Sequence, residues 1–259
     1  MLQVEDISVK VHGKFLLRGI DACFRPGEIT VILGPNGSGK SSFIKAVSGI
    51  GTQSTGRIMY DGVPISSYSK KALSKKRAVF SQHSPLNFPM LVEEVVMMGR
   101  YPHFDSVPGK HDRAICNELI RWMDLESLAG RDYLTLSGGE QQRTHLARAL
   151  VQLWEPPAEG ARYLFLDEPV SSLDIRHQHH LLTIANRLAQ QDFAVITVLH
   201  DINLAMQYAH RVMLFKAGSL LYAGSPADVI TPENIQWVFD ISSTIVDRPG
   251  SNWKIVTFG

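Results

Sequence analysis

Leu2, Val4, Ile7, Val9 and Val11 alternate imperfectly with polar residues, and after a turn at His12-Gly13 comes Phe15-Leu16-Leu17. A period near two predicts paired strands here. Pro26-Gly27 marks the next turn, and Ile29-Thr30-Val31-Ile32-Leu33 is an apolar run of strand length. Phe43, Ile44 and Val47 then share one face of a helix. The stretch between Gly56 and Gly62 and the triplet Ala78-Val79-Phe80 read as short strands. From Gln82 to about Arg131 prolines at 85, 89, 102 and 108 divide a region of helices and loops, in which Ile115, Leu119, Trp122 and Met123 fall at helical spacing. A helix carrying Leu146, Leu150 and Leu153 follows Gly138-Gly139. Two all-apolar strands of the kind buried in a parallel sheet lie around Tyr163–Leu166 and Phe193–Leu199, with a helix carrying Leu181, Leu182, Ile184 and Leu188 between them. Val212–Phe215 and Leu220–Ala223 flank a turn at Ala217-Gly218 and form a hairpin. The order predicts an α/β domain with a helical insertion near 83–145, without internal repeats.

Composition narrows the function. The 259 residues correspond to about 1.7 average domains, enough to bury a core without disulfide staples. The 26 basic and 25 acidic side chains leave a net charge of +1, without the basic excess expected of a nucleic-acid binder. Unbroken apolar runs reach about four residues, far below the ~18–20 of a membrane span. The start, Met1-Leu2-Gln3-Val4-Glu5-Asp6, does not follow the plan of a secretory signal. Cys23 and Cys116 are too few for a disulfide framework and suit a reducing compartment. The expectation is a soluble cytoplasmic protein with no nucleic acid partner and no direct lipid insertion.

The chemistry lies in the loops. Gly34-Pro35-Asn36-Gly37-Ser38-Gly39-Lys40-Ser41 sets two glycines four residues apart before Lys and Ser, between a buried strand and a helix. Such a loop turns its N–H groups toward anionic oxygens and adds the positive end of the helix. Lys40 would reach the β- and γ-phosphates of a nucleotide and Ser41 would hold Mg²⁺, with Ser42 completing the binding segment. A glycine-rich helix cap is the plain alternative, and the strand–loop–helix setting argues against it. Asp167 and Glu168 close the apolar strand Leu164-Phe165-Leu166, where unpaired charge would be costly. Asp167 would hold Mg²⁺ beside Ser41, and Glu168 would polarise the water attacking the γ-phosphate. Leu136-Ser137-Gly138-Gly139-Glu140-Gln141 forms a second loop-to-helix anion site, which a single nucleotide per chain does not need.

That last segment resembles the signature of the ATP-binding-cassette (ABC) family, and the likeness extends over nearly the whole chain. Gln82 resembles the family's Q-loop glutamine, a Mg²⁺ contact that reports nucleotide state to the membrane subunit; Ser171-Ser172-Leu173-Asp174 resembles the D-loop; His200 resembles the switch histidine at the γ-phosphate. The resemblance implies one cassette over residues 1–259: a RecA-like nucleotide-binding core at about 1–82 and 146–259, an N-terminal antiparallel β-subdomain, and a helical signature lobe at about 83–145. It also implies ATP and Mg²⁺ as cofactors and a head-to-tail dimer of two copies. In that dimer Ser137, Gly138, Gly139 and Glu140 of each chain complete the other's ATP site, and Ser172, Leu173 and Asp174 meet across the interface. Two membrane-embedded permease subunits would dock near 83–110 on the cytoplasmic face of the cell membrane, serving a substrate-binding protein indirectly. The family's adenine-stacking aromatic is missing: its position falls near Val9 or Val11, and Phe15 or His12 could stand in.

Within the family, Gln82–Pro89, Val92–Val96, Gly99-Arg100, Leu199–Ala205 and Gly224-Ser225-Pro226 resemble ATPases of iron-chelate, heme and cobalamin importers. The inserted Trp154-Glu155-Pro156-Pro157 and Gly160-Ala161-Arg162 resemble the hemin-import branch, with ferric-siderophore or cobalamin import as the alternative. His177, His179 and His180 start a helix and read as a solvated or subunit-facing surface rather than metal ligands. His83 and His103 read as docking surface. Met90, Leu91, Met97 and Met98 form a stripe that can serve as core or as docking groove. A non-transport cassette ATPase acting on ribosomes or DNA would more often carry paired cassettes or long coiled coils.

Overall fold

The alternating N-terminal pattern becomes two long strands, β1 (Leu2–Val11) and β2 (Lys14–Phe24), followed by β3 (Ile29–Leu33) and α1 (Lys40–Ser48). This computed structural model describes residues 1–51, 54–81, 86–157, 159–171, 173–251 and 253–259. β4 (Ser54–Tyr60), β5 (Val63–Pro64), α2 (Lys70–Lys76) and β6 (Arg77–Ser81) come next, then α3 (Val92–Met97), α4 (Lys110–Trp122) and α5 (Gly138–Leu153). β7 (Arg162–Asp167), α6 (Ile175–Ala189), β8 (Phe193–Val198), α7 (Ile202–Tyr208) and the hairpin β9 (Arg211–Lys216) with β10 (Ser219–Gly224) complete the central part. The chain ends with α8 (Pro226–Val229), α9 (Pro232–Phe239) and a second hairpin, β11 (Ser243–Asp247) with β12 (Lys254–Phe258). The expectation of an α/β fold with an antiparallel N-terminal sheet is met. Residues 226–259 and the short helices α2 and α7 carried no expectation from pattern, because segments of four to eight residues show too little of a period.

β2-β1-β4-β5 form the antiparallel sheet, and β10-β9-β3-β8-β7-β6 form the central one, parallel except where β10 folds back on β9. β3 and β8 are buried at every position, which is why their sequences do not alternate. Successive side chains still point to opposite faces, and the core divides accordingly. Val31, Leu33, Leu164, Leu166, Val195 and Leu214 pack with the helices α3–α6. Ile32, Phe165, Ile196, Val198, Met213 and Phe215 pack with α1 and the antiparallel sheet. The central sheet is thus covered on both faces, and the loops at its carboxyl ends are the remaining place for a ligand.

The helical layer is tied down by charge as well as by packing. Arg100, 1% exposed, donates to Asp112 (3.0 Å), to the carbonyl of Val151 (3.0 Å) and to Glu155 (2.5 Å). Glu155 also meets the rings of His103 and His111, so the inserted segment after α5 is clamped to the turn after α3 and the start of α4. The lobe boundary expected near 145 falls inside α5, a continuous helix whose C-terminal half packs on β6. Met90 and Met97 of the stripe pack partly on the core and also line an open groove of about 610 Å³ with Tyr101 and Phe104.

Asp112→Ala leaves a buried guanidinium with Glu155 as its remaining carboxylate. Orphaning a buried charge costs about 3–5 kcal/mol; with one partner kept, we expect about 2 kcal/mol, read as a lower urea midpoint at unchanged slope. An unshifted midpoint would show that Asp112 does not hold Arg100.

Candidate active site

The loop after β3 is a turn that only glycine can make at two places. Gly34 has φ +153°, and a Cβ there would lie 2.3 Å from the Phe215 carbonyl oxygen at the end of β9. Gly39 has φ +103°, and its Cβ would lie 2.8 Å from the Leu16 carbonyl oxygen. The loop is therefore wedged between β9 and β2, and Ser38 accepts from the Gly218 amide (3.0 Å) to fix it there. Leu16, Asn36–Ser42 and Glu168 line an open cleft of about 230 Å³.

Lys40, the first residue of α1, is 5% exposed and donates to the carbonyls of Gly34 (2.8 Å) and Pro35 (3.0 Å). Burial lowers its pKa, and the negative fields of Glu168 and Asp167 oppose the shift. Ser41 donates from Oγ to Asp167 Oδ1 (3.0 Å) across from the end of β7. Burial raises the Asp167 pKa, with the Ser41 hydrogen bond acting the other way and the neighbouring Glu168 adding to the rise. The hydroxyl and the carboxylate form a hard-oxygen pair of the kind that suits Mg²⁺ completed by phosphate oxygens. Among the described residues no group of three or more His, Cys, Asp or Glu side chains is arranged to hold a metal without such help. The Ser38 Oγ is buried without a hydrogen-bond partner, an orphan that a phosphate oxygen in the loop would satisfy.

Glu168 has φ +52°, uncommon for a residue with a side chain, and its Oε1 meets His200 Nε2 at 2.9 Å. The strand register explains the meeting. Asp167 lies opposite Val198 on adjacent parallel strands, so Glu168, one residue beyond Asp167, and His200, two residues beyond Val198, emerge close together. Asp201 then caps α7 by accepting from the amides of Asn203 (2.7 Å) and Leu204 (3.1 Å). Two of the four candidate catalytic side chains named from the sequence, Glu168 and His200, thus form a direct pair, a contact that no local pattern could reveal.

The signature segment does not line this cleft. Ser137 caps α5 in a reciprocal box: Glu140 accepts from the Ser137 amide (2.7 Å) and hydroxyl (2.8 Å) and donates its own amide to Ser137 Oγ (3.4 Å). Those hydrogen bonds hold the Glu140 carboxyl below its ordinary pKa. Leu173 lies near Gly139, and Gln178 donates to the carbonyls of Val170 (3.2 Å) and Leu173 (3.0 Å), holding the segment before α6. Asp174 caps α6 through the His177 amide and also meets its ring; His179 meets the Tyr208 hydroxyl. Gln82, His83 and Ser172 lie outside the described residues. Val9 is buried and Val11 half-buried against the core, so neither offers a stacking face. Phe15 is half-exposed beside Leu16, with the Lys10 ammonium and the Arg18 guanidinium 5.3 and 5.5 Å from its ring centre; His12 sits in the turn with φ +47°.

A phosphate loop, two strand-end acids and a histidine at one sheet edge agree with what sequence comparison finds: the ABC transporter family matches residues 17–171. The chain belongs to this family. It is an ATPase of the ABC type, a class that binds ATP and couples its hydrolysis to transport. The chain is similar to the hemin import ATP-binding protein HmuV of Gloeobacter violaceus, at 43% identity over 96% of this chain and 90% of the relative. It is 44% identical to HmuV of Mesorhizobium japonicum over 99% of this chain and 97% of the relative. Among solved structures, a metal-chelate type ABC transporter in an inward-facing conformation superposes with TM-score 0.83 at 25% identity, over all of this chain and 96% of the other.

A carboxyl whose pKa is higher folded than unfolded binds its proton more tightly in the folded state. Folding then loses stability as pH rises through the ordinary carboxylate range, and the loss persists at neutral pH. Asp167→Asn keeps an acceptor for Ser41 and removes the buried charge. The Tm of the nucleotide-free variant should therefore exceed wild type at pH 7, with the gain vanishing below about pH 4. A variant less stable than wild type at pH 7 would contradict this account of Asp167.

Proposed function

We propose that this ABC ATPase is the motor of a hemin importer, working as a pair of copies at the cytoplasmic face of the cell membrane beneath two permease subunits. The observation that carries the ATPase chemistry is the juxtaposition of Ser41–Asp167 with Glu168–His200 at the mouth of the phosphate loop. The hemin assignment is supported by the full-length relatives named for hemin import. We read the chain as one cassette, with its core near 1–82 and 146–259 and its helical lobe near 83–145. Among the described residues no helix is long and apolar enough to cross a membrane, which agrees with attachment through permeases. The groove of Met90, Met97, Tyr101 and Phe104, lined also by Glu93, Glu94 and Arg113, overlaps the expected docking stretch.

In this reading the amides and glycines of residues 34–39, with Ser41 and Ser42, cradle the triphosphate. Lys40 exchanges its two loop carbonyls for β- and γ-phosphate oxygens and offsets charge in the transition state. Ser41 and Asp167, with Gln82, are the residues that would hold Mg²⁺, which when bound neutralises phosphate charge. Phe15, next to the cleft-lining Leu16, is the aromatic face available to adenine. Glu168 leaves its pairing with His200 to orient a water in line with the γ-phosphorus and accept its proton; His200 turns to the γ-phosphate. The water oxygen bonds to phosphorus as the bond to the bridging oxygen of ADP breaks. Ser137, Gly138, Gly139 and Glu140 of the second copy close each site, and Ser172, Leu173 and Asp174 line the interface between copies.

Glu168→Gln should lower kcat by about 10²–10³ while ATP binding stays within about twofold, measured by turnover and by equilibrium nucleotide binding. Turnover at the wild-type rate would remove Glu168 from the mechanism. Reconstituted with its permease, the ATPase should be stimulated by hemin presented on the binding protein. Stimulation by a ferric siderophore or cobalamin but not by hemin would reassign the cargo.

A further inference from the structure

The C-terminal hairpin grips the element that carries His200. Among the described residues β11 and β12 pair with each other alone, Ile245 opposite Val256, which leaves the outer edge of β12 with unspent backbone groups. At Val256, 2% exposed and part of the main core, both of those groups turn to one side chain. Asn203 donates from Nδ2 to the Val256 carbonyl (3.0 Å) and accepts at Oδ1 from the Val256 amide (2.8 Å). A primary amide presents one donor and one acceptor side by side and so completes a strand edge at two points.

Asn203 is three residues from His200. Between them Asp201 locks the turn by accepting from the amides of Asn203 and Leu204. On the other side of His200, the Leu199 amide donates to the Ile32 carbonyl (3.2 Å) at the end of β3. The histidine is therefore held between the central sheet and the C-terminal hairpin, and the second anchor is Asn203. His200 itself is 44% exposed on its side chain and, among the described residues, has Glu168 as its one close ionic partner.

We propose that Asn203 is a positioning residue for the switch histidine, and that β11–β12 is the brace through which it acts. The inference rests on the reading of His200 as the γ-phosphate contact. The reaction requires His200 and Glu168 to exchange partners within a small distance, and misplacement of a reacting group by about 1 Å can cost ~10²-fold. Asn203 does not line the phosphate-loop cleft; its effect passes through the backbone at 200–204.

The test is steady-state ATP turnover of the full-length chain in a double-mutant cycle. Asn203→Ala should lower kcat by about tenfold with KM for ATP within about twofold, while Asn203→Asp, which keeps the acceptor for the Val256 amide, should fall between it and wild type. In a His200→Ala background, Asn203→Ala should add less than about a twofold loss, because the residue it positions is gone. A full tenfold loss in that background would overturn the proposal, since Asn203 would then act on general stability or another group. Unchanged kcat for Asn203→Ala with a lowered Tm would also overturn it. Wild-type turnover by His200→Ala alone would instead refute the His200 reading, and the proposal with it.

Discussion

Everything at the phosphate site depends on the register of three buried parallel strands. Ile32 lies opposite Val198, and Val198 lies opposite Asp167, so β3, β8 and β7 run out at one level. The chain just beyond each strand end then enters the same small volume: Gly34 directly after Leu33, Glu168 directly after Asp167, and His200 two residues after Val198. A shift of one residue would exchange the two faces of a strand. Because alternate side chains serve two separate cores, one with the helices and one with α1 and the antiparallel sheet, such a slip would misplace both at once. The geometry of the site is thus held by packing on both faces of the sheet rather than by contacts within the site.

That packing holds several arrangements that are unfavourable taken singly. Lys40 and Asp167 are buried ionisable groups, and burial moves each pKa against its charged form. Glu168 sits in the left-handed region, and Ser38 buries a hydroxyl without a partner. Conflicts of this kind cluster at functional sites, where a rigid surround keeps them in place. A bound triphosphate would address them together: its oxygens would pair with the ammonium and the hydroxyl, and its metal with the carboxylate. The site is prepared for a polyanion before one arrives.

Much of this was legible in the sequence, and the parts that were not share a cause. β3, β7 and β8 read as buried strands because they are apolar throughout, and the phosphate loop read as such because glycine, lysine and serine recur at a spacing with a mechanical reason. The role expected of Glu168 came from its place at the end of an apolar strand and that of His200 from resemblance, but their contact depends on strand register, which no local pattern encodes. The segment around Trp154-Glu155-Pro156-Pro157 served in the sequence only as a marker of likeness. In the fold Glu155 is the carboxylate shared by Arg100, His103 and His111, contacts 44 to 55 residues away along the chain. Asn203 was invisible for the same reason: its partner is a backbone edge 53 residues away, and backbone edges leave no trace in side-chain pattern.

α5 joins these distant pieces. Its N-terminus is the capping box of Ser137 and Glu140, and near its C-terminus the carbonyl of Val151 accepts from the buried Arg100. Gly99 lies so close to the carbonyl of Arg148 that a Cβ would come within 2.0 Å, so the turn carrying Arg100 is pressed onto the same helix. A helix of 16 residues is about 24 Å long and does not shorten under load. On the proposed reading, closure of a second copy's nucleotide against Ser137 pushes one end of this rod, and the docking groove beside α3 is fastened near the other. Glu155 prevents that far end from slipping past α4. The motion that reaches the permeases is then a displacement of the helical layer as a body, and the Arg100 cluster keeps it one body.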